Sequence, residues 1–146
     1  DESICTPVVA GDLVLFTATG QPLTCLRIAR RANQFAALVA WTNDDSSSYL
    51  SSQVVREGYT YGMDEGGQFH CLRLADGAAM WAGGNHGYYC TPIVAGARLL
   101  ALNERGELAV LAATPQRYQL LGGGRLARAP RRTRAGHRGG EATAGG

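Results

Sequence analysis

Cys5-Thr6-Pro7-Val8-Val9-Ala10-Gly11 returns 85 residues later as Cys90-Thr91-Pro92-Ile93-Val94-Ala95-Gly96, with a single Val-to-Ile change. Such a match marks an internal repeat, and a repeat decides the architecture before any local propensity does. Half the offset is about 42 residues, the length of one repeating unit in several all-β arrays, so a third copy belongs between the two. Ser51-Ser52-Gln53-Val54-Val55 fills that place, 46 residues after the first copy and 39 before the last. The same two offsets carry Cys25-Leu26-Arg27-Ile28 onto Cys71-Leu72-Arg73-Leu74, and Gly67-Gln68-Phe69 onto Gly106-Glu107-Leu108. Trp41 and Trp81 lie 40 apart, each shortly before the next unit opens.

Within a unit the chain reads as short strands separated by turn residues. In the second unit Gln53–Val55 is an inner strand, Glu57-Gly58 a turn and Tyr59–Met63 a second strand. A hairpin at Asp64–Gly67 leads into a third strand, Gln68–Leu74. Asp76-Gly77 makes a tight turn before a last strand ending in Trp81. No window holds a helical period. Four strands in about 40 residues is the unit of a β-propeller blade. The expected fold is therefore all-β: a partial propeller of about three four-stranded antiparallel blades, near residues 3–41, 50–81 and 88–121.

The segment from Tyr59 to Trp81 resembles the repeat of pyrroloquinoline-quinone-like propellers. That repeat has a strand ending in a Gly-containing hairpin, then Leu-polar-Leu, a turn closing on Gly, and a Trp. Segments ending in Pro7-Val8-Val9 or Pro92-Ile93-Val94 resemble the strand that opens such blades, and the likeness covers about residues 3–121. The first unit departs from it, with Ala29-Arg30-Arg31-Ala32 in place of the Asp-Gly turn. The third has Tyr118 or Leu120 where Trp is expected. Blades of this kind cover their faces by stacking, the Trp wedging between neighbours. Three blades do not close a ring, so the chain is expected to be a piece of a larger propeller whose remaining blades are missing.

Hydrophobic residues make up 45% and charged residues 18% of the 146 positions, enough for a folded domain. Residues 1–124 hold 8 Arg against 11 acidic residues, whereas residues 125–146 hold 6 Arg against Glu141 alone. From Gly122 onward the sequence is rich in Gly, Arg and Ala and offers little to bury, so residues 122–146 are expected to form a disordered tail. A basic arm for nucleic acid or anionic lipid is the other reading of this segment, but an unselected or frame-shifted linker is preferred; no nucleic-acid partner is expected. No apolar run is long enough for a membrane span. Cys5 and Cys90 occupy one place of the repeat and Cys25 and Cys71 another, and equivalent places in different blades lie too far apart to pair; Cys5 with Cys25, or Cys71 with Cys90, would have to bridge different strands and stays open. Free, half-buried thiols are expected.

Candidate chemistry is thin. His70-Cys71 and His86 with Cys90 offer zinc-type ligands. However, adjacent strand residues point to opposite faces, so no metal site is expected. Quinone-binding relatives have adjacent cysteines and a Glu, Asn and Asp set for calcium. This chain has no adjacent Cys pair, and Asp44-Asp45 and Asp64-Glu65 read as solvated turn residues. Ser46-Ser47-Ser48 and Ser51-Ser52 lack a recognisable His and acid. Gly122–Gly124 lacks the Lys of a phosphate loop. No catalytic residue, cofactor or metal is therefore assigned. The resemblance implies a non-enzymatic scaffold or protein-binding module, part of a bacterial exported protein of the periplasm or cell exterior, as in the lipoprotein propeller of outer-membrane assembly. A fragment of a quinoprotein dehydrogenase whose cofactor site is not contained in this chain is the alternative. Loops Thr42–Tyr49 and Gly83–Tyr89 should share one rim and meet a protein partner, with Tyr49, Tyr88 and Tyr89 as contact residues.

Overall fold

A computed structural model of the chain describes residues 5–48 and 50–126. It contains twelve strands: β1 (Val8–Ala10), β2 (Leu13–Phe16), β3 (Leu23–Arg31), β4 (Gln34–Asn43), β5 (Val54–Arg56), β6 (Tyr59–Met63), β7 (Phe69–Arg73), β8 (Ala79–Gly83), β9 (Pro92–Ala95), β10 (Arg98–Leu102), β11 (Glu107–Ala112) and β12 (Leu120–Arg125). They form three four-stranded sheets in chain order, every neighbouring pair antiparallel. The three-blade reading of the sequence stands.

Alternation along the strands divides each blade into two faces. Val54, Tyr61, Cys71 and Trp81 stand opposite one another across the second blade. They pack with Leu99, Ala101 and Leu111 of the third. Leu72 on the other face packs with Leu15, Leu23, Cys25 and Trp41 of the first blade. Two cores thus lie between blades rather than inside one, as a stacked array requires.

Each junction is fastened twice, by the same two positions of the repeat. On the inner side the backbone N–H of Thr6 donates to Ser52 Oγ at 2.8 Å, and that of Ser52 donates to Thr91 Oγ1 at 3.3 Å. These residues open the three repeat copies, so the duplicated small hydroxyls form a chain of contacts along adjoining inner strands. On the outer side Trp41 Nε1 donates to the carbonyl of Leu74 at 2.8 Å, and Trp81 Nε1 donates to that of Thr114 at 2.7 Å. Both tryptophans touch the following blade, as expected; Trp41 is buried and Trp81 half-buried.

The structure revises the unit edges. In the first unit Ala29–Arg31 stay in the strand: β3 and β4 run nine and ten residues and turn at Ala32-Asn33. With no Asp-Gly pair to reverse the chain, pairing continues until Ala32 supplies the positive φ of 52°. At the other end Gly122–Arg125, expected in the tail, belongs to β12 and pairs with β11. A ladder needs backbone groups rather than side chains, and small residues fit here: a Cβ on Gly123 would lie 2.5 Å from the Leu108 carbonyl oxygen. Residues 127–146, and with them most of the expected tail, lie outside the described residues, as does Tyr49. All four cysteines are free and fully buried rather than half-buried. Burial pushes the Cys71 thiol up to about 12 and that of Cys90 to about 11.

Candidate interaction surface

Two kinds of connection alternate in a four-stranded meander, and they emerge at opposite rims. The hairpins at Asp64–Gly67 and Asn103–Gly106 share one rim with the links between blades. Glu65 N–H donates to the Ser47 carbonyl at 3.0 Å, and His86 N–H to the Gly67 carbonyl at 2.9 Å. Loops Thr42–Tyr49 and Gly83–Tyr89 therefore do share a rim, over the part of the first loop that is described. The other turns, near Gly58, Gly77 and Gly96, meet at the far rim, where Leu74 N–H donates to the Gly58 carbonyl.

Charge separates along the same division. The loop rim carries Asp44, Asp45, Asp64, Glu65, Glu104 and Glu107 against Arg105 and Arg125. The far rim carries Arg27, Arg30, Arg31, Arg56, Arg73, Arg98 and Arg117 against Asp12, Glu57 and Asp76. Among the described residues the formal charge is zero, divided as −4 and +4. The repeat places each turn type on a fixed rim, so charges scattered in sequence gather in space. Sorting charged residues by turn type was the signal available in the sequence; counting along the chain misses it.

The acidic rim is held in place. Glu65 Oε1 accepts from Ser47 Oγ at 2.9 Å and from the Gly20 N–H at 3.3 Å. Asp64 Oδ1 accepts the Gln68 N–H, closing its hairpin. Glu104 Oε2 accepts the Tyr89 N–H at 3.2 Å. Its own backbone N–H, with those of Tyr89 and Tyr88, holds that carboxyl below the usual range. The Asn103 amide does the same for Glu107. Both stay ionised well into acid, so the negative field persists at neutral pH. Tyr88 is 68% exposed beside them, and Tyr89 is also exposed.

The other residues weighed from sequence have local roles. His86 Nε2 meets Tyr118 Oη at 2.8 Å, and its ring stands edge-on to Phe69. Tyr118, which stands where a third Trp was expected, turns back onto Trp81 with ring centroids 5.9 Å apart. Ser48 Oγ donates to the Ser51 carbonyl and accepts the Ser51 N–H. Cys90 N–H donates to Ser51 Oγ, and Thr6 N–H to Ser52 Oγ. His70 and Cys71 face opposite ways: Cys71 lies in the core shared with the third blade, and His70 meets Gln53 on the other face. Among the described residues no three His, Cys, Asp or Glu are grouped to hold a metal ion. None of their helices is long and apolar enough to cross a membrane.

His70 was missed as a titrating group. It is buried, with Nε2 3.2 Å from Gln53 Oε1, which also accepts Thr60 Oγ1 at 3.1 Å. Burial lowers its pKa from the ordinary 6.5 to about 4. The unfolded chain thus takes up a proton near pH 6.5 that the folded chain refuses until about 4. Stability present above 6.5 is lost as the pH falls through this window, by about 3 kcal/mol in all. Urea unfolding at pH 7 and 4.5 should show this loss, and His70→Gln should reduce it. An equal loss in the variant would assign the acid sensitivity elsewhere.

No protein-family model and no curated protein sequence matches the chain. Similar solved structures include BamB from Moraxella catarrhalis, with a TM-score of 0.64 at 10% identity over 88% of this chain and 37% of that one. A europium-containing methanol dehydrogenase gives 0.56 at 13% identity, over 80% of this chain and 25% of that one. The chain thus spans well under half the length of either, and at such identity the likeness is one of fold. With three stacked antiparallel sheets and these neighbours, the chain has the fold of a partial β-propeller.

Proposed function

We propose that the chain is a non-enzymatic scaffold, part of a larger exported propeller, that binds a protein partner through its acidic rim. The observation carrying this reading is the rim itself: six carboxylates against two Arg, next to exposed Tyr88 and Tyr89. Backbone and side-chain hydrogen bonds fix these loops, so little entropy is lost when a partner orders them. Tyrosine adds contact area and a hydroxyl with only two rotatable angles to freeze. The sign of the field selects a partner with a basic face and speeds its approach. A quinoprotein dehydrogenase fragment is the second reading, drawn from the methanol dehydrogenase likeness.

Photo-crosslinking tests the first reading. A benzophenone side chain at Tyr88 should give a discrete protein adduct in cells, whereas one at Arg98 on the far rim should not. Glu65→Lys with Glu104→Lys should reduce the adduct several-fold. Adducts from both positions alike, or indifference to charge reversal, would defeat the rim assignment. Quinone absorbance retained by the intact parent protein after adding pyrroloquinoline quinone and calcium would favour the second reading.

A further inference from the structure

The hairpin joining β3 to β4 projects where its counterpart in the second blade does not. Trp41 follows Ile28 by 13 residues, whereas Trp81 follows Leu74, at the same place of the repeat, by 7. β3 pairs with β2 as far as Arg27, and the Ile28 N–H donates to the Asp12 carbonyl at 2.7 Å. Leu74 N–H makes the same bond to Gly58 in the second blade, and the chain then turns at Gly77. In the first blade Ala29, Arg30 and Arg31 run on, opposite Ala36, Phe35 and Gln34. At about 3.3 Å per residue, the hairpin stands about 10 Å beyond the β1–β2 turn of its own blade. A preceding blade of the second blade's length would end level with Asp12 and leave the tip clear. Every residue from Arg30 to Phe35 is exposed, Phe35 by 74%. No acidic residue lies between Asp12 and Asp44.

The rim around this tip has charge to spare. Its three carboxylates are each taken by an arginine: Asp12 by Arg27, Glu57 by Arg56 and Asp76 by Arg73. Arg30, Arg31, Arg98 and Arg117 make no ion pair among the described residues. Four uncompensated guanidinium groups thus share one rim with a projecting aromatic ring. We propose that this hairpin seats the far rim on an anionic lipid bilayer, with Phe35 at the boundary of headgroups and acyl chains and Arg30 and Arg31 on lipid phosphates.

Interfacial elements combine these same parts, an apolar residue buried about 5–10 Å and basic residues drawn to anionic headgroups. The projection matches that depth. Insertion stays shallow because β4 is paired with β3 alone, and its free backbone groups need the water and phosphate of the headgroup layer. A nucleic-acid duplex could use the arginines, but it offers Phe35 no apolar layer without unstacking its bases. The seat lies on the rim opposite Tyr88 and Tyr89 and is independent of the function proposed above.

Co-sedimentation of the full chain with lipid vesicles is the test. The chain should sediment with mixed phosphatidylglycerol and phosphatidylcholine vesicles at low salt, and not with phosphatidylcholine alone. Arg30→Gln with Arg31→Gln should weaken the partition about 30-fold, at about fivefold for each arginine. Phe35→Ser should weaken it about tenfold. Both variants should melt like the parent, because all three side chains are exposed. Equal sedimentation with neutral vesicles, or none with anionic ones, would overturn the proposal. So would binding that survives both substitutions, which would assign the contact to the six arginines of residues 125–146. Binding to duplex DNA in place of vesicles, with Phe35→Ser having no effect, would overturn it in favour of nucleic acid.

Discussion

Trp41→Ala should destabilise the chain by about 3–5 kcal/mol, the range for removing a large buried aromatic. The ring is only 8% exposed and lies in the core between the first and second blades. Its Nε1–H satisfies the Leu74 carbonyl, so truncation leaves both a cavity and an unpaired acceptor. Trp41→Phe keeps much of the bulk and loses the bond, and should cost about 1–2 kcal/mol. The surface under the ring gives an independent check. Gly77 has φ +72°, and a Cβ there would lie 2.5 Å from Trp41 Cε3. Gly77→Ala therefore meets both backbone strain and the ring. In the Trp41→Ala background only the strain remains, about 1 kcal/mol. Urea unfolding of the four chains of this cycle reads the coupling. Additive effects, or a Trp41→Ala loss below 1 kcal/mol, would remove Trp41 as a fastener between blades.

Gly67→Ala should cost about 2–4 kcal/mol and loosen the acidic rim. Gly67 has φ +83°, and its added Cβ would fall 2.3 Å from the Gly87 carbonyl oxygen, a backbone atom with no rotamer to escape into. The Gly67 carbonyl also accepts the His86 N–H that anchors the Gly83–Tyr89 loop. Amide exchange should speed up across residues 84–89 and remain slow in β6 and β7. A melting point unchanged from the parent would contradict the close packing of the two loops.

Much of this architecture was legible because the repeat is written in side chains whose jobs repeat. Cys-Thr-Pro and Ser-Ser recur where inner strands adjoin, and the two tryptophans recur where outer strands reach the next blade. Strand Tyr59–Met63 was read to the residue, since Gly58 and Asp64 punctuate both its ends. The long β3–β4 hairpin was not legible: nothing in Ala29–Ala32 opposes extension, and a missing turn signal leaves the reversal point open. The glycines of β12 misled in the opposite way, because their pairing depends on the approach of β11 and not on their own propensity. The charged rims were hidden because the turns that meet at each rim lie tens of residues apart in sequence. His70 read as a weak zinc ligand, but the neighbours that make it a buried neutral group come from Gln53 and Thr60.

The claim that three units stack in sequence, each fastened to the next, rests most directly on the two indole N–H groups. A 15N-edited NOESY spectrum of the intact chain resolves both. Stacked blades predict two slowly exchanging indole signals, with cross-peaks from Trp41 to Leu74 and Gly77 and from Trp81 to Thr114 and Tyr118. Indole protons that exchange rapidly with water, or that show cross-peaks only within their own sheet, would mean that the blades do not dock as described.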